Sequence, residues 1–339
     1  MVFRSSQGRI FGILIAIVFI VVLLPNGPSS YSSFLYDLPI SSSSREQIAT
    51  PEDIANRMSL SEKSWKRSVE LRHTMATAHP QNPQIPFFPA QTLNDFGKYP
   101  YTLWDFFPPT YTCPHDIQRI GRLGDGGKWV CGMSRYERLS GSDLTDPEDG
   151  TVVYSFGING ESSFEAEFLE RVPSARIWGY DFSVDGWGAQ IPPSAKHRTF
   201  FKKIGLGSED DTERSPPFFT LPSLMAQNNH KYIDILKIDV EGSEYVALDA
   251  MMDAFEGEGD GILPIGQVMI ELHLNGGPTG VDFERFGKWW ERLEKMGMRP
   301  AWLEINLLAV TLGQGKSNPR CAEYVWVNAK DRKNILWKP

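Results

Sequence analysis

Residues 233–245 read IDILKIDVEGSEY, and this stretch decides the fold class. It begins with a run of apolar residues that is too short for a helix and is flanked by charged residues. Such a run is typical of a strand that is buried on both faces of a parallel sheet. Asp239 and Glu241 follow at its carboxyl end, where open α/β sheets bind their ligands. The stretch therefore predicts a central strand that brings two carboxylates to a site.

Strand and helix patterns alternate on both sides of this stretch. Short β-branched or aromatic runs predict strands at Thr151–Phe156, Ala175–Tyr180, 197–204, 267–272, 304–311 and 323–328. Helical patterns lie at Ser163–Arg171 and 283–296. The alternation predicts an α/β fold with a doubly wound, mostly parallel sheet. The last two strands are expected to make one edge of the sheet antiparallel.

The N-terminal segment predicts where in the cell the protein is located. Residues 10–24 are uninterrupted apolar or small residues, and Arg4 and Arg9 precede them. As a helix this run would be about 22 Å long, which is shorter than the hydrocarbon core of a bilayer, about 30 Å thick. The arginines favour a signal-anchor with residues 1–9 in the cytoplasm. A cleaved signal peptide is the alternative, although no clear small-residue cleavage site follows. The chain is therefore expected to be a single-pass type II membrane protein of the Golgi or ER, or a secreted one if cleaved.

The remaining chain divides by composition. Residues 25–100 hold Ser-rich and Pro-rich stretches and predict a stem with a short helix after Thr50. Residues 101–339 predict the globular domain. The net charge of −8 argues against nucleic acid as the partner. Cys113 and Cys131 flank a glycine-rich turn and are expected to form a disulfide that leaves Cys321 over, with three free thiols as the alternative.

The first strand-to-helix turn predicts a binding loop. Gly157 and Gly160 lie between the strand at Thr151–Phe156 and the next helix, where glycine permits a tight turn and close approach of a ligand. Asp181 follows the next strand and is placed to accept hydrogen bonds from a ribose diol. The two glycines alone fit an ordinary turn. Together with Asp181 they favour a ligand that contains a nucleoside.

Four polar side chains are expected to meet at the edge of the sheet. Alternation along each strand puts Asp239 and Glu241 on one side, and likewise Glu271 and His273. His273 is the candidate general base nearest to neutral pH. Alternatively, Asp239, Glu241 and Glu271 hold a hard divalent cation. The structural alternative is that Asp239 caps a helix, Glu241 is solvated and His273 only forms hydrogen bonds.

The motifs, taken in order, resemble a known family. DGGKWVC, YSFGING, GYDFS, KIGLG, IDILKIDVEGSEY and IELH resemble the membrane-anchored methyltransferase-like proteins with a methyltransferase domain of type 22. KIDVEGSE is also similar to FkbM-type methyltransferases, some of which methylate hydroxyls of sugars and natural products. The resemblance covers about residues 110–330. It implies a class I S-adenosylmethionine-dependent methyltransferase fold, Rossmann-like, with seven strands in the order 3-2-1-4-5-7-6.

The resemblance also implies roles for individual residues. The cofactor S-adenosylmethionine is expected to contact Phe156, Gly157, Gly160, Asp181, Phe182 and Asp239. Together with the strand-end positions described above, the resemblance makes Asp239, His273 and Glu241 the expected catalytic residues. One departure stands out, because many class I enzymes carry an acidic residue and three glycines in the first loop. This chain has Tyr154-Ser155-Phe156-Gly157 and two glycines there.

Three functions compete at this point. The first is S-adenosylmethionine-dependent O-methylation of a secretory-pathway acceptor, such as a glycan or a small hydroxyl compound. The second is a Golgi-type glycosyltransferase, because anchor, stem and lumenal domain are their usual layout and Asp239-Val240-Glu241 approximates their D-x-D pair. The third is a non-catalytic binding protein that keeps the fold, which the missing acidic residue of the first loop supports.

Overall fold

The computed structural model describes residues 49–78, 102–139, 144, 150–257, 259–274, 281–307 and 319–338. Ala49–Pro339 form one compact unit. The expected signal-anchor at 10–24 and most of the expected stem lie outside the described residues. Among the residues that are described, no helix combines the length and apolarity that a membrane span requires.

The helices and strands are as follows. The helices are α1 Pro51–Ala78, α2 Thr102–Phe106, α3 Met133–Glu137, α4 Ser163–Arg171, α5 Leu221–Gln227, α6 Glu244–Phe255 and α7 Phe283–Lys295. The strands are β1 Ile117–Ile120, β2 Lys128–Cys131, β3 Thr151–Phe156, β4 Ala175–Tyr180, β5 Thr199–Lys202, β6 Gly205–Leu206, β7 Phe218–Phe219, β8 Ile233–Ile238, β9 Ile265–His273, β10 Met298–Ile305 and β11 Cys321–Asn328. Helices α4, α5 and α6 alternate with strands from β3 to β9, as the sequence predicted, except that β4 to β7 follow one another without an α-helix.

Within the described residues, seven strands form one sheet in the order β10-β11-β9-β8-β3-β4-β5. The strands from β9 to β5 pair in parallel, and β11 pairs antiparallel with both β9 and β10. Numbered in chain order and read from β5, these strands follow 3-2-1-4-5-7-6. The expected sheet order and its antiparallel edge are confirmed.

Strand β10 lies earlier in the chain than the sequence predicted. It spans Met298–Ile305 rather than 304–311, and it starts directly after Gly297, which has a φ of 100°. Pro300 lies inside it, next to an irregularity in the pairing with β11. Proline is tolerated on edge strands and at bulges, so only the position of β10 at the edge of the sheet makes this strand possible.

Two hydrophobic layers enclose the sheet. Alternation along β9 sends Val268, Ile270 and Leu272 into one layer, with apolar residues of α2, α5, α6 and α7. Met269 faces the opposite layer, with apolar residues of α1, α4 and the β1–β2 hairpin. Both faces of β8 and β9 are therefore buried, which explains why these strands carry few polar residues before their carboxyl ends.

Helix α1 begins with the cap that its sequence predicts. Thr50 Oγ1 accepts a hydrogen bond from the Asp53 N–H at 3.2 Å, and Asp53 Oδ2 accepts one from the Thr50 N–H at 2.8 Å. This reciprocal pair satisfies backbone donors that would otherwise lack partners. Pro51 occupies the first helical position, where its missing N–H costs nothing.

Helix α1 packs on the domain, although the sequence placed it in a stem. Trp65 Nε1 donates to Glu294 Oε1 at 2.8 Å, and Arg72 Nη2 lies 2.8 Å from Glu294 Oε2. Arg299 of β10, nearly fully buried, donates to both carboxylate oxygens of Glu62 at 2.9 and 2.8 Å. Charged groups on α1 therefore neutralise charges that α7 and β10 bury.

We expect Glu62→Ala to lower the free energy of unfolding by about 2 kcal/mol, because it leaves the buried Arg299 guanidinium without its carboxylate. The control is Glu70→Ala, the same substitution at an exposed position of the same helix. Urea unfolding followed by circular dichroism measures both. Equal effects of the two substitutions would show that the Glu62–Arg299 pair contributes nothing.

Candidate functional site

A row of glutamates crosses the antiparallel edge of the sheet. Glu271 of β9 is the register partner of Glu323 of β11, and Glu323 is in turn the partner of Glu304 of β10. Register partners lie on the same face of the sheet, and like charges in this position destabilise it. Asp239, directly after β8, lies beside Glu271 and Glu323, since oxygens of the three carboxylates lie within 4.8 Å of one another. The repulsion among these carboxylates requires positively charged groups nearby.

The β1–β2 hairpin supplies the compensating charges. The buried Lys128 Nζ donates to Asp239 Oδ2 at 3.2 Å and to Glu323 Oε1. Arg119 Nε lies 3.3 Å from Glu304 Oε2. The hairpin forms around the glycine-rich turn that the sequence predicted. Its basic residues therefore fix it over the acidic row.

The expected disulfide secures the same hairpin. Cys113 and Cys131 are bonded, with 5.8 Å between their Cα atoms, and Cys321 is a free thiol. The disulfide pairing that the sequence favoured is present. Gln267 of β9 adds two hydrogen bonds to the hairpin backbone, accepting from the Cys131 N–H at 3.1 Å and donating to its carbonyl at 3.0 Å. The disulfide and the Gln267 hydrogen bonds therefore fix the position of the hairpin strand that carries Lys128.

Burial and neighbouring charges separate the protonation states of the acids. Burial and the charges of Asp239 and Glu323 raise the pKa of Glu271 to about 8. Burial also acts to raise the pKa of Asp239, but the ammonium groups of Lys128 and Lys237 outweigh it and hold that pKa below its usual value. Asp239 is therefore ionised at neutral pH, whereas Glu271 is largely protonated.

His273 is held by a carboxylate that sequence reasoning missed. Its Nδ1 and its backbone N–H both donate to Oε1 of the fully buried Glu244 at 2.8 Å. Burial acts to lower the pKa of His273, but hydrogen bonds with Cys321 and Glu244 outweigh it and raise the pKa to about 11. The imidazole is therefore protonated at neutral pH, which differs from the neutral base that its strand-end position suggested. Glu244 was visible only as the second acid of VEGSE.

The structure brings all four expected acid–base residues together, with Glu241 as the exposed member. Asp239, Glu271 and His273 lie at one edge of the sheet, and each has a candidate ligand atom within 4.8 Å of another. Glu241 lies at the rim, with its side chain 80% exposed and its Oε2 3.5 Å from His273 Nε2. Its φ of 55° is unusual for a residue with a side chain, and such conformations concentrate at functional sites.

The glycine loop after β3 lies directly against Asp239. A Cβ on Gly157 would lie 1.8 Å from the carbonyl oxygen of Asp239, so the two loops approach as closely as glycine allows. The Asp239 N–H donates to the Phe156 carbonyl at 3.2 Å. A Cβ on Gly160 would meet nothing within 4 Å. The loop therefore packs against the end of β8 at Gly157, whereas the space beside Gly160 is open.

Asp181 holds the glycine loop from the neighbouring strand. Its Oδ2 accepts hydrogen bonds from the N–H groups of Ile158 and Asn159 at 2.8 Å, and its Oδ1 accepts from Ser183 N–H and Oγ at 2.7 Å. These bonds use all four lone-pair positions of the carboxylate. A ribose hydroxyl would have to take the place of the Ser183 hydroxyl. Phe182, which follows Asp181, is half exposed.

A buried carboxylate is linked to the glycine loop through Lys237. Glu165 of α4 is fully buried and accepts a hydrogen bond from Ser155 Oγ at 2.6 Å. Lys237 of β8 lies 3.2 Å from the same Glu165 oxygen and donates to the Gly157 carbonyl at 3.0 Å. The residues Tyr154-Ser155-Phe156-Gly157 that lead into this loop include no acidic one. Glu165 of α4 supplies a buried carboxylate that is connected to this loop through Lys237. No fixed spacing in the sequence connects Glu165 with Ser155.

The sheet order and the glycine loop beside an acidic strand end define a class I methyltransferase fold, whose general methyl donor is S-adenosylmethionine. The sequence profile of the methyltransferase domain family of type 22 matches residues 51–306. The match spans more than half of the chain, so the chain belongs to this family. The matched region includes α1. No curated protein matches the sequence.

Several solved structures are distantly similar. Fibrillarin, a pre-rRNA processing protein from Methanococcus jannaschii, is 11% identical over 64% of this chain and 100% of its own, with a TM-score of 0.33. An O-methyltransferase family 2 protein from Planctomyces limnophilus, in complex with apigenin, is 10% identical over 58% of this chain and 56% of its own (TM-score 0.28). A precorrin-6y C5,15-methyltransferase from Geobacter metallireducens is 15% identical over 57% of this chain and 83% of its own, with a TM-score of 0.27. At such TM-scores these likenesses carry no argument about the chain.

We expect Lys128→Met to lower the free energy of unfolding by about 3 kcal/mol, because it leaves the partly buried carboxylates of Asp239 and Glu323 without their cation. Lys203→Met is the control, since Lys203 pairs with Asp185 at the surface and such pairs contribute little. Guanidinium unfolding at neutral pH measures both. Similar midpoints for Lys128→Met and the wild type would contradict the structural role of this ammonium.

Proposed function

We propose that the protein is an S-adenosylmethionine-dependent methyltransferase that methylates a hydroxyl of a secretory-pathway acceptor, a glycan or a small hydroxyl compound. The observation that carries the proposal is the contact between the glycine loop and Asp239. It puts an ionised carboxylate beside the place where the fold binds its methyl donor. The similarity of KIDVEGSE to FkbM-type enzymes supports oxygen as the accepting atom.

The residues present fit S-adenosylmethionine. Gly160 leaves its side of the loop open, so a ligand can approach the backbone there. Asp181 would hold the ribose once the Ser183 hydroxyl moves away, and the half-exposed Phe182 offers an apolar surface next to it. The excess of carboxylates around Asp239 suits the positive charge of the sulfonium and the amino group.

The side chains of the site would act mainly by position and charge. When bound, S-adenosylmethionine supplies an electrophilic methyl group that leaves sulfur as the acceptor oxygen bonds to it. Asp239 would orient the acceptor and take the proton of its hydroxyl. Lys128 keeps Asp239 ionised, and the protonated His273 holds Glu241 at the rim. Holding donor and acceptor in line provides most of the rate.

The two alternatives have less support. Membership of a methyltransferase domain family favours methyl transfer over glycosyl transfer. Asp239 is paired with the buried Lys128 ammonium, which competes with a cation for this carboxylate. The missing loop acid was the main support for a non-catalytic protein. Glu165 supplies a carboxylate that is linked to that loop through Lys237, which weakens this alternative.

We also infer a lumenal domain held by a signal-anchor at residues 10–24. The Cys113–Cys131 disulfide supports this address, because disulfides persist in oxidising compartments. In microsomes from expressing cells, we expect the domain to resist added protease until detergent is present, and to stay with the membrane after carbonate washing. Digestion without detergent would contradict a lumenal domain, and release by carbonate would contradict the anchor.

The activity is tested with the full chain and labelled S-adenosylmethionine. We expect calorimetric binding of the donor, and transfer of label to a hydroxyl-bearing acceptor from fractionated glycans or small metabolites. Gly160→Val should weaken donor binding by about tenfold or more, because its side chain enters the open side of the loop. Gly259→Val is the control, since Gly259 also has a positive φ and equally open space but lies after α6, away from the loop.

Thermal unfolding of both glycine variants shows whether the fold is retained. A folded Gly160→Val protein with unchanged donor affinity would overturn the placement of the donor at this loop. Donor binding without label transfer to any acceptor fraction would favour the non-catalytic alternative. Stabilisation by a nucleotide-sugar with Mn²⁺, but not by S-adenosylmethionine, would favour the glycosyltransferase.

A further inference from the structure

We propose that the edge of the sheet where β9 meets β11 binds one Zn²⁺ ion. Its protein ligands would be Glu241, Glu271, His273 and Cys321. The sequence offered, as an alternative to acid–base chemistry, a hard cation held by the carboxylates of Asp239, Glu241 and Glu271. The tertiary structure adds a thiol and an imidazole to two carboxylates, which is a donor set that zinc prefers.

The distances suit a tetrahedral ion. Ligand atoms of Glu271, His273 and Cys321 all lie within 4.8 Å of one another. His273 Nε2 lies 3.5 Å from Glu241 Oε2 and 4.0 Å from Glu271 Oε1. In a tetrahedral zinc site, bonds of roughly 2.0–2.3 Å put neighbouring ligand atoms roughly 3.3–3.8 Å apart. Side-chain movements of about 1 Å would therefore close Glu271, His273 and Cys321 around an ion. Glu241, whose exposed side chain lies beside His273 Nε2, would turn inward to become the fourth ligand.

Backbone geometry sets the positions of the four side chains. Cys321 and His273 are register partners on adjacent antiparallel strands, so their side chains lie on the same face. Glu271 precedes His273 by two residues and shares that face. Glu241 comes from the loop after β8, where its positive φ directs it to the rim. The donors therefore come from three rigid positions rather than from one flexible loop.

The outer contacts of His273 match those of a metal-bound histidine. Its Nδ1 donates to the buried Glu244, which leaves Nε2 as the nitrogen that faces Glu241 and Glu271. Metal-bound histidines almost always donate their other nitrogen in this way, and the partner fixes both tautomer and ring orientation. Glu271 is oriented in turn by a hydrogen bond from Asn306 Nδ2 at 2.7 Å.

The charge balance favours a dication at this place. In the part of the chain that the structure describes, the ion pairs recorded for Glu241, Glu244 and Glu271 all converge on one imidazole, that of His273. The carboxylates of Glu241 and Glu244 exceed the charge that one imidazolium can neutralise, and uncompensated charge near a buried group is costly. A metal ion would bind at His273 Nε2 in place of a proton, because a metal-bound imidazole must be neutral.

The location suggests what the ion would do, and this step rests on the proposed function. Glu241 is the exposed ligand, so an acceptor hydroxyl can replace it on the ion. Zinc lowers the pKa of a bound hydroxyl. Asp239 has a carboxylate oxygen within 4.8 Å of His273 and Glu241 donor atoms, close enough to take the released proton. The acceptor class is then an alcohol or phenol that binds zinc through its oxygen.

Cobalt provides a selective test on the full chain. The sequence has three cysteines, and Cys113 and Cys131 are bonded to each other, so Cys321 is the thiol available to a metal. We expect the metal-free protein to bind about one equivalent of Co²⁺, with a thiolate-to-cobalt charge-transfer band and the visible spectrum of a tetrahedral ion. Zn²⁺ should displace the cobalt and abolish both features.

Variants identify the individual ligands. Cys321→Ser should remove the charge-transfer band, and His273→Gln should abolish stoichiometric binding. Glu244→Gln should lower zinc affinity by roughly 10–100-fold, the usual effect of losing a histidine's outer partner. Glu304→Gln is the control, because Glu304 lies on the same face of the sheet but contacts Arg119 instead of the cluster. It should leave the spectrum unchanged.

The wild-type titration alone can overturn the site, whatever the folding of the variants. Absence of stoichiometric binding, or a cobalt spectrum without a thiolate band, would do so. The activating role has a separate test. If removal of zinc by a chelator leaves label transfer unchanged, that role is overturned while the site stands. If zinc binds but S-adenosylmethionine does not, the proposed function fails and the metal site remains.

Discussion

The ammonium group of Lys128, placed between Asp239 and Glu323, is the constraint on which the rest of this site depends. Two adjacent acids at the edge of a sheet repel each other and lose hydration when covered. The β1–β2 hairpin can cover them only because it brings a buried cation, and the disulfide and Gln267 hold it there. Lys128 therefore supports both the packing of the hairpin and the ionised state of Asp239.

A second network supports the glycine loop in the same way. Glu165, Ser155 and Lys237 form a buried group that is linked to the loop, and Asp181 holds the loop from the neighbouring strand. In both networks a charged group from one element stabilises the backbone or the charge of another. These contacts hold the loop and Asp239 in fixed positions relative to each other, as a preorganised site requires.

Much of the fold was predictable because its signals are local. The strands Thr151–Phe156 and Ala175–Tyr180 and the helix Ser163–Arg171 were predicted with their observed bounds, since each combines a clear period with a clear end. Strand β10 was not, because Pro300 obscures its pattern and only pairing with β11 at the sheet edge makes it a strand. The packing of α1 was missed for a similar reason, because Trp65 and Glu294 lie 229 positions apart.

The sequence by itself determined the class of sheet, the glycine loop, and the delivery of Asp239, Glu271 and His273 to one edge. These depend on residue period and on the ends of parallel strands, which are properties of short segments. Only the tertiary structure decided their chemistry. Strand register put Cys321 beside His273, packing put Glu244 on its other nitrogen, and the hairpin put Lys128 against Asp239. Protonation depends on such neighbours and on burial, and neither is encoded in a local pattern.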